Sequence, residues 1–528
     1  MKAPAIRGLT ESLTDLSLTD LRTVLARLRR AKLLSGEDPH NPGHLDTHPL
    51  VREYFGEQLR SERAEAWKEC NRRLFNYYRG LAPELPDSFR DMEPLFLAVI
   101  CGCNAGLFRE ALHEVYIPRI QRGNASFAAN VLGARGPLLS TLVHFFEQGR
   151  WGTLVKNCSE GQDLTAEDQL FILMQSGLYL TATRGFGAPE ARICYQRAEP
   201  LCCSLNRPVL LYVALMGQWR DTLMHDKLTT TIQIAKRVYS LAEEQKNAAL
   251  MIGAYRASAA TFYFLGDFES AQEHAARGIE IWRSGGVQSP VEEVGASSVV
   301  CLCYEALTEW HFGEIISSQA AITEAIALAK ELNDMDALAV ALQFSAWLAY
   351  YNRNSTYVER VASDLIELST RHNFSYWLAI ATIFRGWARS ASGERVGGMA
   401  WLEEGISDVL RSSGATLLVP TYLALKAEAL YLAQRSSEAL EAISEAEANA
   451  ERSAEANWRA ELRRLRGLFL TALGAEEAEI DASFSAAIRI AREQKSVSLE
   501  KRAEATYAEY RRQRASASGG RGFRLPLC

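Results

Sequence analysis

Residues 262–281 read Phe262-Tyr-Phe-Leu-Gly266-Asp-Phe-Glu-Ser-Ala271-Gln-Glu-His-Ala275-Ala-Arg-Gly278-Ile-Glu-Ile281. An apolar run stops at Gly266, and apolar residues resume at 268, 271, 275 and 279, the spacing of one helix face. The stretch is therefore a helix, a glycine-centred turn and a second helix with small residues on its inner side. The same order returns at Leu470-Thr-Ala-Leu-Gly474 and runs on to Phe484-Ser-Ala-Ala487-Ile-Arg-Ile490. Two helices of a hairpin cross with little room, so a small residue is needed where they meet.

From about residue 165 the chain repeats this unit, and the pattern resembles the tetratricopeptide repeat. The first-helix small position maps onto Gly177, Ala259, Ala306, Ser345, Gly386, Ala427 and Gly467. The second-helix position maps onto Ala198, Gly278, Ala325, Gly405, Ala446 and Ala487. Two departures stand out, near Trp219 and near Asp364, where the unit packs more loosely or aligns differently. Successive small positions are roughly 40 residues apart, against 34 in the standard unit, so helices or loops are longer than usual. Ser284-Gly-Gly-Val-Gln-Ser-Pro290 reads as an insertion loop. About eight hairpins fit between 165 and 497, enough for a continuous solenoid core. The expected fold is all-α: a tetratricopeptide-like α-α superhelix preceded by a small winged-helix-type module.

That module is residues 1–60. Leu18, Leu21, Val24, Leu25 and Leu28 follow helical spacing, with Thr19 as the expected N-cap and a stop near Leu34. Turn chemistry then fills Ser35 to Pro49, with any strand confined to about residues 36–50, and Pro49 opens a helix at Leu50. Residues 61–164 form a helical linker or bundle. Within them Met92–Gly102 and Phe108–Tyr116 make an αα-hairpin about Asn104-Ala105-Gly106. Residues 498–528 are a terminal helix and a low-complexity tail, expected to be disordered from Arg514 onward.

Composition narrows the classes. The 528 residues carry 58 Lys+Arg against 64 Asp+Glu, a formal charge of −6, with 48% hydrophobic and 23% charged residues. This excludes a mostly disordered chain, and the slight acidity gives no pull toward nucleic acid or anionic membrane. No stretch reaches about 18 consecutive apolar residues, and the start lacks the apolar core of a secretory signal. Ten cysteines with no Cys-x-x-Cys pair read as buried, reduced thiols in a cytoplasmic protein.

No phosphate-binding loop, nucleophile elbow or His-Glu-x-x-His helix is present in the sequence. No catalytic residue, metal ligand or cofactor is expected in this chain. His40, His44 and His48 are spaced by four, but Pro42 and Gly43 break any helix that would gather them. Glu438, Glu441, Glu445, Glu447 and Glu451 fall on an outer solvated face. The aromatic residues of the array, among them Trp347, Tyr350, Tyr351, Trp387 and Trp458, are expected to pack between repeats; some could line a concave groove.

Thr47-His48-Pro49-Leu50-Val51-Arg52-Glu53-Tyr54-Phe55 resembles the end of the winged-helix module in signal-transduction ATPases with numerous domains. There a histidine before such a helix reaches the bound nucleotide. Only His48 carries over, because Thr47 and Pro49 replace the motif's Met and Asp. Thr183-Arg-Gly-Phe-Gly-Ala-Pro-Glu190 and Phe384-Arg-Gly-Trp387 resemble the repeat region of bacterial predicted-ATPase regulators, including cyclase-linked and maltose-activator-like proteins. The resemblance implies a non-catalytic sensor or scaffold that binds a partner protein or small-molecule inducer in the superhelix groove. It also implies an ATPase partner domain that would supply ATP or ADP, with His48 as nucleotide sensor. The chain starts inside the winged-helix module, as though cut from a longer regulator. The alternative is a transcription regulator touching DNA through Arg22, Arg27, Arg29, Arg30 and Lys32, a patch diluted by Glu11, Asp15, Asp20 and Asp38.

Overall fold

The computed structural model describes residues 4–36, 45–147, 150–156, 163–184, 188–225, 227–285, 294–516 and 525–526. Two compact units divide the chain, Met1–Tyr179 and Leu180–Cys528.

The first unit contains α1 (Leu18–Arg30), α2 (Pro49–Glu62), α3 (Ala64–Leu81), α4 (Phe89–Ala105) and α5 (Phe108–Glu110). The last of these runs on into a π-helix, Ala111–Gln121. Next come α6 (Phe127–Asn130), α7 (Arg135–Leu142) and α8 (Ala166–Arg184), which extends past the division. The N-cap of α1 is Ser17, not Thr19: Ser17 is extended and its Oγ accepts from the Asp20 N–H at 3.2 Å, whereas Thr19 is already helical. The helix ends at Arg30, before the expected Leu34, and Lys32 turns the chain with φ 57°. Gly106, φ 80°, ends α4 in the left-handed conformation and lets the two apolar segments fold back. That the second segment winds as a π-helix was not visible in its periodicity. It contains Pro118, which lacks an N–H donor. Phe75, Met92, Leu95, Leu112 and Val115 form the unit's core.

No strand occurs among the described residues. His40, His44 and the centre of the expected wing lie in 37–44, outside them. The flanks are tied by the Ser35 N–H donating to Asp46 O at 2.8 Å and by Thr47 Oγ1 donating to Leu33 O. An isolated antiparallel bridge pairs Phe146 with Leu154; it is not part of a strand.

The second unit opens with α9 (Pro189–Ser204). It continues with the pairs α10 (Pro208–His225) and α11 (Leu228–Glu244), α12 (Ala248–Phe264) and α13 (Phe268–Arg283), and α14 (Val294–Phe312) and α15 (Ile315–Glu331). Then come α16 (Met335–Tyr351) and α17 (Ser355–His372), α18 (Ser375–Ala391) and α19 (Arg395–Ser413), α20 (Val419–Leu432) and α21 (Ser436–Ser453), α22 (Arg459–Leu473) and α23 (Glu477–Glu493), and the closing helix α24 (Val497–Ser516). In chain order α10 to α23 make seven helix–turn–helix pairs among the described residues. The chain is thus an all-helical, tetratricopeptide-like repeat solenoid. The expected insertion loop falls largely on 286–293, outside the described residues.

Asn247, Asp267, Asp334 and Asn354 cap their helices by accepting backbone N–H groups. First helices are buried nearly all round, as in α16, where Ala337–Leu338–Ala339 and Ala341 through Tyr351 are all inside. Second helices bury one stripe, as in α17 with Val358, Val361, Ala362, Leu365 and Leu368. First helices therefore form the inner wall and second helices the outer one.

The inner wall closes on itself. The Thr416 N–H donates to Met224 O at 2.8 Å, the Ala456 N–H to Phe264 O at 2.7 Å, and Ser498 Oγ to Trp310 O at 2.5 Å. The loops before α20 and α22 and the first turn of α24 thus dock on the ends of α10, α12 and α14. Thr416 and Met224 are 192 positions apart, and Ser498 and Trp310 are 188 apart. One superhelical turn is that length, and the next turn lies directly on it. Gly266, at φ 76°, sits at this seam; a Cβ there would stand 2.1 Å from Gln494 Nε2. The tail is less loose than expected at one point. Leu525 is buried, and its carbonyl accepts from the Tyr431 hydroxyl at 2.7 Å.

Candidate functional site

The structure places His48 at the N-cap of α2, exposed, with Nδ1 accepting from the Leu50 N–H at 3.3 Å. A neutral ring accepting at Nδ1 carries its proton on Nε2, which leaves Nε2–H as the outward donor. Gly177 is buried in α8, and Ala259, Ala306 and Ala427 are fully buried in α12, α14 and α20. Gly386 faces the backbone of α19, where a Cβ would stand 2.7 Å from Gly398 O. Gly405 faces α18, with Ile383 Cγ1 at 2.6 Å from its would-be Cβ. A Cβ on Gly278 would stand 2.8 Å from Cys301 Sγ, and one on Gly467 2.9 Å from the Phe484 ring.

The spacing argument missed Gly217 and Gly253. A Cβ on Gly217 would meet the Tyr195 ring at 2.3 Å, and one on Gly253 the Tyr212 hydroxyl at 2.2 Å. Near Trp219 the unit is simply aligned on Gly217. Trp219 itself is a wall residue whose Nε1–H donates to Thr261 Oγ1 at 3.0 Å. Near Asp364, likewise, the buried small residue of α17 is Ala362, and Asp364 is exposed.

Sequence reasoning also missed a charged network inside the array. Glu428, wholly buried, accepts from Arg353 Nη1 at 2.7 and 2.8 Å, from the Tyr350 hydroxyl at 2.8 Å and from Trp387 Nε1 at 2.9 Å. Glu461 is bound by Arg353, by Arg464 at 2.8 and 2.9 Å, and by Arg502 at 3.4 Å. Burial opposes the charge on Glu461, but Arg464, Arg502 and Arg353 outweigh it and hold the carboxyl well below the usual range. A glutamate at an inner-wall position, flanked by alanine and leucine as in Ala427-Glu428-Ala429-Leu430, was the available signal. Next to the network Tyr351 and Trp458 stack at 4.4 Å and 6°. Most of the array's aromatic residues are therefore packed core. Trp401 differs, lying half-buried on the outer wall between Arg385 and Arg389, at 4.3 and 4.8 Å. The outer-face glutamates are exposed except Glu447, which is half-buried beside Arg463 and Arg466.

An open cavity of about 120 Å³ lies on the inner wall, lined by residues of α10, α12, α14, α16 and α18 and by Leu417 and Leu418 from the next turn. Its body is aromatic: Trp219, Phe264, Tyr304, Phe344, Trp347 and Trp377. Arg220, Arg256, Gln343 and Tyr376 are among the polar residues that line it. Arg256 is 9% exposed, with its guanidinium 5.6 Å from the Trp219 ring centre. Trp347 is 1% exposed and its Nε1 has no hydrogen-bond partner. Such a site can bind and orient a small apolar group; it holds no nucleophile–base pair.

Among the described residues no cluster of three or more metal-ligating side chains occurs, and no helix is long and apolar enough to cross a membrane. Eight cysteines are described, all as free thiols. Burial pushes the Cys101, Cys194 and Cys301 thiols up to about 12, whereas Cys203 is exposed.

No family model matches the chain. An uncharacterized protein of Rhizobium meliloti (strain 1021) is 25% identical over 351 residues, 65% of this chain and 33% of its own length. The chain thus spans about a third of the length of that curated relative. Among solved structures, a Rap protein complexed with competence and sporulation factor is similar, with a TM-score of 0.44 and 11% identity over 67% of this chain and 99% of that one. A signal-transduction ATPase with numerous domains and a tetratricopeptide repeat sensor, from Pyrococcus horikoshii, is similar at a TM-score of 0.36 and 14% identity over 84% of this chain and 60% of that one. These likenesses are distant.

Proposed function

We propose that this chain is the non-catalytic sensor and scaffold part of a signal-transduction regulator, taking up an inducer or a partner's side chain on the inner wall of its repeats. The observation that carries this reading is the cavity. Its walls come from five first helices and from residues 417–418 of the following superhelical turn. An occupant therefore touches both turns at once, and its binding energy is spent on holding them together. A second element of the reading is an ATPase partner whose bound diphosphate accepts a hydrogen bond from His48 Nε2. Exposure of the ring and the donor left at Nε2 support it.

The cavity is tested by filling it. Val340→Trp places a ring in the space, and a small-molecule screen by thermal shift should give hits on the wild-type chain that this variant loses. Hits retained by the filled variant would move the site elsewhere. The His48 element is tested in a complex that contains the ATPase: His48→Ala should speed ADP release, while the chain alone should bind no ADP by calorimetry. Unchanged ADP retention would leave His48 as a helix cap.

A further inference from the structure

An open hollow of about 400 Å³ lies on the outer wall where α11, α12 and α13 meet. Among the residues that line it are Tyr239 from α11, Tyr255 from α12, and Glu273, His274, Arg277 and Glu280 from α13. The four from α13 share one face of that helix, by their spacing. The Tyr239, Tyr255 and His274 ring centres are 5.6, 5.9 and 6.3 Å apart, and the ring planes meet at 76°, 68° and 62°. Such rings make a corner, not a stack, and a corner meets one occupant with aromatic surface from more than one side. The His274 wall is fixed: its Nδ1–H donates to Ser270 O at 2.8 Å, and the Phe262 ring lies 5.2 Å from it.

The charges at the rim favour a cation. Arg277 pairs with Glu280 at 3.2 Å, whereas Glu273, which is exposed, pairs with no cation among the described residues. An aromatic face is negative at its centre and attracts a cation, most of all one that gives up little hydration. A simple ammonium would lose its hydrogen bonds to water on entering; a fully methylated one has none to lose. We propose that this hollow binds a small quaternary ammonium compound of the choline class, a site separate from the inner-wall cavity. The methylated head lies in the corner of Tyr239, Tyr255 and His274, and the Glu273 carboxylate supplies the countercharge. The volume falls in the range of small-molecule sites, so a free compound is the occupant.

The test uses the full chain with choline as the probe and dimethylbutanol, its uncharged carbon isostere, as the control, both read by calorimetry. Choline should bind saturably and about tenfold or more tighter than the alcohol, the worth of a cation over aromatic faces. Tyr255→Phe keeps the ring and should keep the affinity; Tyr255→Leu should lose about tenfold. Glu273→Gln, at an exposed position, should weaken choline binding a few-fold, flatten its salt dependence and leave the alcohol unaffected. Circular dichroism checks that the leucine variant folds; if it does not, Glu273→Gln and the isostere decide. If the alcohol binds as tightly as choline, if a folded Tyr255→Leu keeps the wild-type affinity, or if Glu273→Gln changes nothing, the cation assignment falls. If choline shows no saturable binding, the site falls with it. Tighter binding of a trimethyllysine peptide or of phosphatidylcholine vesicles than of choline would overturn the free compound in favour of a protein tail or a lipid surface.

Discussion

His311 and Ser496 share a 2.8 Å hydrogen bond between Nδ1 and Oγ across 185 positions of sequence. Both residues are fully buried, and the imidazole also stacks on Phe268 at 3.6 Å and 14°. The bond joins α14 to the turn that starts α24, so it lies on the seam between superhelical turns. Burial, and then the charge of Arg502, push the imidazole well below its ordinary value, and the ring is neutral in the folded chain.

The seam should therefore weaken in acid. Unfolded, His311 takes up its proton near the ordinary 6.5; folded, it does not. Its contribution to stability is complete above that value and is lost as pH falls below it. Urea midpoints should drop from pH 7.5 to pH 5.5, and His311→Phe, which keeps a ring against Phe268, should show a shallower drop. Equal slopes for the two proteins would remove His311 from the account.

Glu455 should act in the opposite sense. Burial raises its carboxyl to about 8, although the Leu418 N–H, donating at 3.2 Å, works against the rise. The folded state holds the proton that the unfolded chain releases near 4.5, so stability present at low pH is lost as pH climbs through about 8. Glu455→Gln keeps an acceptor for Leu418 and has no proton to lose. Its melting temperature should exceed the wild type's by more at pH 9 than at pH 5; a gain independent of pH would show that Glu455 is not the titrating group.

Removing Glu461 leaves Arg353, Arg464 and Arg502 facing one another inside the array. Breaking a buried pair from one side costs roughly 3–5 kcal/mol. Glu461→Gln should lower the urea-derived stability by about that much, and adding Arg464→Met should recover part of the loss. A single variant within about 0.5 kcal/mol of the wild type would mean the three arginines find water instead.

Gly386 gives a test of sign. In an exposed helix, glycine to alanine gains about 1 kcal/mol. Here the new Cβ would stand 2.7 Å from Gly398 O and 2.8 Å from Leu402 N, backbone atoms that cannot rotate away. Gly386→Ala should lower the melting temperature, and Gly386→Leu should cost roughly 1–3 kcal/mol or more by overpacking. A stabilised alanine variant would mean that α18 and α19 do not approach this closely.

The alternation of helix, turn and helix was legible because it is local: Gly266 and the helices on either side lie within one short stretch. Gly217 was missed because the repeat length varies, and a fixed spacing landed on Trp219. Glu428 and Glu461 were passed over because a lone glutamate among alanines and leucines reads as a solvated position until its partners, distant in sequence, are known. The cavity was unreadable for the same reason. Its walls alternate between helices set a full repeat apart, and Leu417 and Leu418 reach it only through the winding of the array. The N-cap of α1 was misplaced because Ser17 and Thr19 offer the same chemistry, and only backbone conformation separates them.

The two loops and the first turn of α24 that dock on α10, α12 and α14 give the array a fixed circumference. An open solenoid tolerates insertion or loss of a unit, because each repeat answers only to its neighbours. Here a unit removed between Met224 and Thr416 would shift the phase of every later loop, and the partners at Met224, Phe264 and Trp310 would all be presented with the wrong residues together. A unit gained or lost between Thr416 and Ser498 would likewise misplace the contacts to Phe264 or Trp310, whereas changes before Met224 or after Ser498 carry no such penalty. The stretch from Met224 to Ser498 is therefore indivisible, and drift in repeat number should be confined to the ends of the array.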